Sequence, residues 1–135
     1  MMKKLLIIPV IVFLFGFNVS AKELDDPFRI NTTAYCCGTT TCTGVPVREG
    51  ICAVKKEWIG KTALIYADND GEIGELLGIF ECLDTGFGAD SDGDGIGSIQ
   101  EGKLIDVYWS DYDRCVDWMK LTGGKVFVQL VDADG

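Results

Sequence analysis

Six short stretches of β-type residues, separated by turns rich in glycine and aspartate, constrain the fold of this chain more than any other feature. Each stretch is only four to seven residues long and is dominated by Val, Ile, Leu, Thr and Tyr. The predicted strands are residues 32–35, 51–54, 62–66, 77–83, 104–108 and 125–131. A small sheet of short strands protects its unpaired edges best by closing on itself. The pattern therefore predicts a small, mainly β domain in the form of a six-stranded closed barrel.

Two local signals complete the predicted topology. The sequence Asp68-Asn69-Asp70-Gly71 is typical of a tight hairpin turn between two strands. A single helix is predicted over residues 112–121, where Val116, Trp118 and Met119 can line one side. The pair Gly123-Gly124 is expected to end that helix.

The first 21 residues have the pattern of an export signal. A basic start at Lys3 and Lys4 precedes an apolar run over residues 5–17, and Val19-Ser20-Ala21 supplies small residues for cleavage. The run is shorter than the ~20 residues that span a bilayer, so we expect no retained membrane span. The mature chain is expected to be secreted. Residues 22–30, which are charged and contain Pro27, are interpreted as a lead-in linker, and residues 31–135 as one domain.

The charge balance limits the possible partners. The net charge is −9, and loss of the two lysines of the export signal would make it about −11. Such an acidic surface repels phosphates, which excludes nucleic acid and anionic lipid as partners. A neutral polymer, such as a wall glycan, or a cation suits it better. We expect the domain to act as a monomer.

Cysteine usage agrees with export. All six cysteines lie after the signal, and an even number in an exported chain indicates a framework of up to three disulfides. The cysteines are Cys36, Cys37, Cys42, Cys52, Cys82 and Cys115. A zinc site on the first three is the competing reading, but adjacent cysteines are poorly spaced for tetrahedral ligation and the chain has no His. The pairing among six cysteines stays open.

Two aspartates stand in otherwise apolar β-type runs. Asp84 lies in Leu83-Asp84-Thr85-Gly86, and Asp106 in Ile105-Asp106-Val107. An apolar setting removes hydration from a carboxylate and raises its pKa, which makes it a usable proton donor near neutral pH. Because the chain contains no His, proton transfer would fall to such acids. The competing reading is that each Asp only caps a turn or accepts backbone N–H groups.

Several segments, taken in order, resemble the three-aspartate ("3D") domain of exported bacterial wall proteins. The resemblance covers nearly all of residues 31–133. The two most distinctive motifs are Asp84-Thr85-Gly86 and Ile105-Asp106-Val107-Tyr108. The remaining matches are Thr33-Ala34-Tyr35, Thr43-Gly44, residues 50–54, the run over residues 58–66, the helix near Trp118 and the strand at residues 126–130. Departures are Lys55, where many members carry an acid, and the long run between Asp84 and Asp106.

The three-aspartate family is similar to the membrane-bound lytic transglycosylase A barrel, the rare lipoprotein A domain and the first domain of expansins. The resemblance implies a double-psi β-barrel that acts on peptidoglycan or another wall glycan. It implies that Asp106 is the catalytic acid and Asp84 its neighbouring carboxylate. Tyr35, Thr85 and Tyr108 are the candidate substrate-binding residues. The third aspartate of the family could be Asp111 or Asp113.

Glycosidic hydrolysis needs two carboxylates, whereas a lytic transglycosylase can use one acid that protonates the leaving oxygen and then accepts a proton from the 6-hydroxyl of the muramoyl sugar. Two other classes stay open. Expansin-like barrels keep the same Asp without clear cleavage, so a wall-binding or wall-loosening module is the main alternative. Asp-Thr-Gly is also the signature of aspartic proteases, which pair two such residues.

The run between the two aspartates carries a metal-binding pattern. Residues 90–101 fit the twelve-residue calcium loop D-x-D-x-D-G-x5-E at every defined position. The expected oxygen ligands are Asp90, Asp92, Asp94, the carbonyl of Ile96, Ser98 and Glu101. An acidic, glycine-rich surface loop is the competing reading, because no flanking helices are predicted and Gly97 replaces a usual apolar residue. The pattern favours a structural Ca²⁺ site, and no organic cofactor is expected.

Overall fold

The computed structural model describes residues 26–36, 38–90 and 92–132 of the chain. It is mainly β, with six strands in one sheet and one α-helix, as the sequence predicted. The predicted export signal lies outside the described residues. The strands are β1 Phe28–Tyr35, β2 Ile51–Ala53, β3 Lys61–Asn69, β4 Glu72–Asp84, β5 Leu104–Tyr108 and β6 Lys125–Asp132. The helix α1 spans Tyr112–Thr122.

Each strand pairs with two neighbours, and the order β1-β5-β2-β4-β3-β6 is closed because β6 also pairs with β1. Two of the pairings, β1 with β5 and β2 with β4, are parallel. The others are antiparallel. This arrangement brings β2, which has only three residues, between the long strand β4 and β5. The short strand β2 is therefore flanked by the two strands that carry the predicted aspartates.

Side-chain alternation separates an inner from an outer face of the sheet. Ile105 and Val107 of β5, and Val126 and Val128 of β6, are fully buried and belong to the core. Successive side chains of a strand point to opposite faces. The residue between Ile105 and Val107 is Asp106, whose side chain is therefore on the outer face.

Helix α1 closes against β1. Asp111 caps its N-terminus by accepting a hydrogen bond from the Arg114 backbone N–H at 2.9 Å, and Gly123 ends it with a left-handed φ of 65°. Trp118 is buried and donates its indole N–H to the Thr32 hydroxyl at 3.0 Å. Its ring packs edge-on against Phe80. The helix thus supplies an aromatic anchor to the core.

The predicted hairpin is confirmed. β3 ends at Asn69 and β4 starts at Glu72, so Asp70 and Gly71 form a two-residue turn. Both residues have positive φ, 53° and 91°, as such a turn requires. Asp68 braces the turn by accepting a hydrogen bond from the Gly71 N–H at 2.6 Å.

The cysteines are free thiols in the described part of the chain, so the predicted disulfides are not formed in this structure. Cys37 lies outside the described residues. Cys52 and Cys82 are register partners on β2 and β4, with their sulfur atoms 3.7 Å apart. That separation exceeds the ~2.05 Å of an S–S bond. The structure therefore contains near pairs of cysteines in place of the predicted disulfides.

Candidate functional site

Four residues from four neighbouring strands form a row on the outer face of the sheet. In the register of the sheet, Thr33 pairs with Asp106. Asp106 also pairs with Ala53, and Ala53 also pairs with Asp84. The two aspartates thus flank Ala53, with Cα atoms of the order of 9–10 Å apart, or two strand spacings. Ala53, a small residue that is itself buried, lies between the two aspartates. The sheet brings together the pair that the sequence predicted.

Asp106 is half-buried and accepts one hydrogen bond, from the Thr33 hydroxyl to its Oδ1 at 2.9 Å. Burial raises the pKa of Asp106 above its ordinary value, the hydrogen bond from Thr33 opposes this, and the charge of Asp84 adds to the rise. The first cause is loss of hydration, which disfavours the charged form. Asp106 therefore holds a proton to higher pH than an exposed aspartate.

Asp84 accepts three hydrogen bonds. Its Oδ1 receives the backbone N–H groups of Cys42 and Thr85 at 2.9 and 3.0 Å, and its Oδ2 receives the Tyr35 hydroxyl at 3.1 Å. These donors come from the loop after β1, from the chain just beyond β4 and from β1 itself. They hold the carboxyl group in one orientation.

Tyr35 links Asp84 to the aromatic side of the site. Burial, and then the negative charge of Asp84, raise the pKa of Tyr35 far above its ordinary value. The phenol therefore stays protonated and donates to Asp84. Its ring meets Tyr108 edge-on, with centroids 5.4 Å apart. The predicted substrate-binding residues Tyr35 and Tyr108 thus lie side by side beside Asp84.

The loop over residues 38–47 packs against the end of β4 at Leu83 and Asp84. The Thr43 hydroxyl donates to the Leu83 carbonyl at 3.0 Å, next to the contact between the Cys42 N–H and Asp84. Within the loop, the Thr41 hydroxyl accepts the Val45 N–H at 3.2 Å. The sequence assigned Cys42 only to a disulfide, so its contact with Asp84 was missed.

The insert between the aspartates folds back onto the site. Gln100 donates from Nε2 to the Thr85 hydroxyl at 2.7 Å and to the Gly86 carbonyl at 2.6 Å. The neighbouring Ile99 is buried, and its N–H donates to the Phe87 carbonyl at 3.1 Å. The third predicted substrate residue, Thr85, is thereby tied to the insert. Gln100 had no sequence signal that could reveal this contact.

Gly97 explains one departure from the calcium-loop pattern. A Cβ atom at this position would lie 1.8 Å from the Phe87 carbonyl oxygen, which is backbone and cannot move aside easily. The usual apolar residue would therefore separate the two halves of the insert. Glycine at this position lets the backbone hydrogen bonds from Ile99 to Phe87 and from Ser98 to Ala89 form at the base of the insert.

Three predicted metal ligands converge at the tip of the insert. Asp90, Asp92 and Asp94 each place a carboxylate oxygen within 4.8 Å of the other two. Asp90 also accepts the N–H groups of Asp94 and Gly95, at 3.1 and 2.9 Å, so its side chain organises the turn. Hard oxygen donors in such a cluster suit Ca²⁺. Within the described residues, no other group of His, Cys, Asp or Glu is close enough to hold a metal.

The other three predicted ligands, Glu101, Ser98 and Ile96, are not part of the cluster of three aspartates. Glu101 interacts with Asp94, which is the first cause of the raised pKa of Glu101, and it pairs with Lys103 at 3.6 Å. The Ser98 hydroxyl accepts the Ala89 N–H at 3.0 Å. The Ile96 N–H donates to Asp94 at 2.8 Å. Glu101 therefore adjoins the cluster, whereas the Ser98 hydroxyl is engaged at the base of the insert.

None of the helices in the described part of the chain has the length and apolar content needed to cross a membrane. No protein-family model matches the chain, and a search of curated proteins finds no match. The resemblance to the three-aspartate domain thus stays a prediction.

Proposed function

We propose that the chain is an exported wall-active protein that cleaves peptidoglycan strands as a lytic transglycosylase. The observation that carries the proposal is the half-buried Asp106, whose pKa is raised by burial, one strand away from Ala53 and two from Asp84. A carboxyl group that holds its proton to higher pH than an exposed aspartate suits a general acid. The proposed fold is a double-psi β-barrel stapled by disulfides, and the proposed location is the cell wall or the medium.

In the proposed reaction Asp106 acts twice. It first gives its proton to the glycosidic oxygen, which leaves with the departing sugar. The resulting carboxylate then takes the proton of the 6-hydroxyl of the N-acetylmuramoyl unit as that oxygen bonds to C1 and closes a 1,6-anhydro ring. The proton balance is closed, so neither water nor a second catalytic acid is consumed. The Thr33 hydroxyl orients the Asp106 carboxyl group throughout.

Asp84 has a supporting role in this proposal. Its charge raises the pKa of Asp106, and its three donors hold its carboxyl group in one orientation. A fixed carboxylate there can also stabilise positive charge that develops on the sugar ring in the transition state. Tyr35 and Tyr108 offer an aromatic surface for sugar rings next to this carboxylate.

We propose further that the insert binds Ca²⁺ through Asp90, Asp92, Asp94 and Glu101. The close approach of three carboxylates supports this, because a divalent cation offsets their mutual repulsion. Gln100 connects the insert to Thr85, which follows Asp84. Bound Ca²⁺ would therefore order the segment that follows Asp84 without taking part in the reaction.

The test is digestion of purified peptidoglycan, with mass spectrometry of the soluble products. We expect anhydro-muropeptides from the wild type and a rate at least ~100-fold lower for Asp106→Asn, which removes the general acid. Asp70→Asn is the matched control, since Asp70 is exposed at the far end of β4, and Asn tolerates its positive φ of 53°.

Other products would contradict the proposal in distinct ways. Products with reducing ends would indicate hydrolysis. A protein that pellets with the wall and releases nothing would be a binding or wall-loosening module of the expansin type. Peptide cleavage blocked by a pepstatin-type inhibitor would place the Asp84-Thr85-Gly86 motif in an aspartic protease.

A further inference from the structure

The near pairs of cysteines suggest a specific covalent pattern that the sequence left open. Cys52 and Cys82 are fully buried, and as register partners they sit directly opposite each other on adjacent parallel strands. Adjacent strands are ~4.8 Å apart, which lies inside the ~4.4–6.8 Å range of Cα separations in disulfides. Their sulfur atoms are 3.7 Å apart. Side-chain rotation alone can therefore bring them to bonding distance.

A second pair joins the end of β1 to helix α1. Cys36 follows Tyr35 directly, and Cys115 faces β1 from the same side of α1 as Trp118, three residues further on, which bonds Thr32. Cys115 is buried. Burial, and then the neighbouring Cys36 thiol, raise the pKa of Cys115 to about 11. Cys36 at the end of β1 and Cys115 on the side of α1 that faces β1 are therefore neighbours.

We propose that the exported protein carries two disulfides, Cys52–Cys82 and Cys36–Cys115. Each forms by exchange with a protein or small-molecule disulfide in the oxidising space outside the cytoplasm. One cysteine thiolate attacks the donor disulfide and releases one donor thiol. The partner thiolate then attacks the mixed disulfide and releases the second donor thiol. The donor is reduced, the cysteine pair is oxidised, and the two cysteine protons end on the donor thiols.

Burial sets the order of events. Cys52 and Cys82 have no exposed surface in the folded chain, so a donor disulfide cannot reach them there. The bond must therefore form while β2 and β4 come together during folding. Cys36 is half-buried at the end of β1, so that its bond to Cys115 can close later.

Both bonds adjoin the candidate site. Cys52 precedes Ala53, which stands between the aspartates, and Cys82 precedes Asp84 by two residues. Cys36 adjoins Tyr35, the hydroxyl donor to Asp84. The bonds would fix the spacing of β2 and β4 and the position of Tyr35. The assignment depends on cysteine geometry and on the proposed export, and it stands whether or not the protein cleaves glycan.

Peptide mapping tests the assignment on the full exported chain. Free thiols are alkylated under denaturant without reductant, and the protein is digested with trypsin. The cleavage sites leave Cys52 in fragment 49–55, Cys82 in fragment 62–103 and Cys115 in fragment 115–120, whereas fragment 30–48 carries Cys36, Cys37 and Cys42. We expect fragments 49–55 and 62–103 to be linked to each other, and 115–120 to 30–48.

Fragmentation of the linked 30–48 peptide then identifies the cysteine joined to Cys115, without any substitution. We also expect Cys36→Ser to leave Cys115 open to alkylation, and the matched control Cys42→Ser to keep both links. Alkylated Cys52 and Cys82 would mean that the pair packs as buried free thiols and would overturn that bond. Alkylated Cys115, or Cys115 joined to Cys37 or Cys42, would overturn the other.

Discussion

The hydrogen bond from Tyr35 to Asp84 can be weighed by a single substitution. Tyr35→Phe removes the hydroxyl that lies 3.1 Å from Asp84 Oδ2 and keeps the ring that packs on Tyr108. A hydrogen bond to a charged group contributes about 1.5–3 kcal/mol. We expect the free energy of unfolding to fall by that amount at neutral pH.

Tyr66 provides the matched control. Its hydroxyl lies 3.2 Å from Gln129 Oε1, a neutral acceptor, and both tyrosines are half-buried. A neutral hydrogen bond contributes about 0.5–1.5 kcal/mol, so Tyr66→Phe should cost about 1 kcal/mol less than Tyr35→Phe. Urea titration with linear extrapolation measures both costs.

An Asp84→Asn background completes the test as a double-mutant cycle. There the cost of Tyr35→Phe should fall into the neutral range, because the charge at position 84 is gone. The amide oxygen of the new side chain keeps the two backbone donors, so its N–H can only donate to the Tyr35 hydroxyl. Two results would refute the reasoning. One is a Tyr35→Phe cost no larger than that of Tyr66→Phe. The other is a Tyr35→Phe cost that Asp84→Asn leaves unchanged.

Two further predictions concern Asp106 and the insert. Because burial raises the pKa of Asp106 in the folded state, wild-type stability should fall as pH rises through that pKa. Asp106→Asn should therefore raise the melting temperature at pH 7 and lose this advantage near pH 3, with Asp70→Asn as a control. A gain that does not depend on pH would contradict burial of a charge as the cause. Millimolar Ca²⁺ should raise the melting temperature, because a tenfold excess of Ca²⁺ over its Kd adds about 1.4 kcal/mol to the free energy of unfolding. Mg²⁺ should stabilise the protein much less. The double variant Asp90→Ala, Glu101→Ala should abolish this stabilisation. If the wild-type melting curve is the same with a chelator as with Ca²⁺, the insert is an acidic surface loop that binds no Ca²⁺.

The sequence predicted elements well where the local pattern and the burial agree. β5 spans Leu104–Tyr108 as expected, since its alternation of buried and half-buried residues matches its apolar pattern. The helix was predicted within one residue, because Gly123 supplies its left-handed end. These signals act over a few neighbouring residues, which is the range that a sequence pattern covers.

Strands whose ends are held by pairing and not by burial were predicted too short. β4 begins at Glu72, five residues before the predicted start, because its exposed half is held by pairing with β3 and not by burial. β1 begins at Phe28, inside the segment interpreted as a linker, because residues 28–31 pair with β6. The partner of β1 is distant in sequence, whereas β3 adjoins β4 through the two-residue turn.

In the candidate site, too, local features could be predicted from the sequence and long-range contacts could not. Asp84 and Asp106 stood out locally as lone carboxylates in apolar runs. Their supporting residues did not, because the Thr33 hydroxyl and the Cys42 N–H act on partners 73 and 42 residues away. Thr33 carried one usable signal, since its period-two spacing from Tyr35 places both on the same face of β1.

The surroundings of the two carboxyl groups differ. Asp84 is held by donors on three sides, and Gln100 anchors the following residue to the insert. Asp106 has a single hydroxyl donor and sits half-buried between core residues, where loss of hydration raises its pKa. In the reaction that we propose, Asp106 is the proton carrier and Asp84 is the carboxyl group held in place beside it. Replacement of Asp84 should therefore weaken the proposed reaction by changing the pKa of Asp106, whereas replacement of Asp106 should stop it.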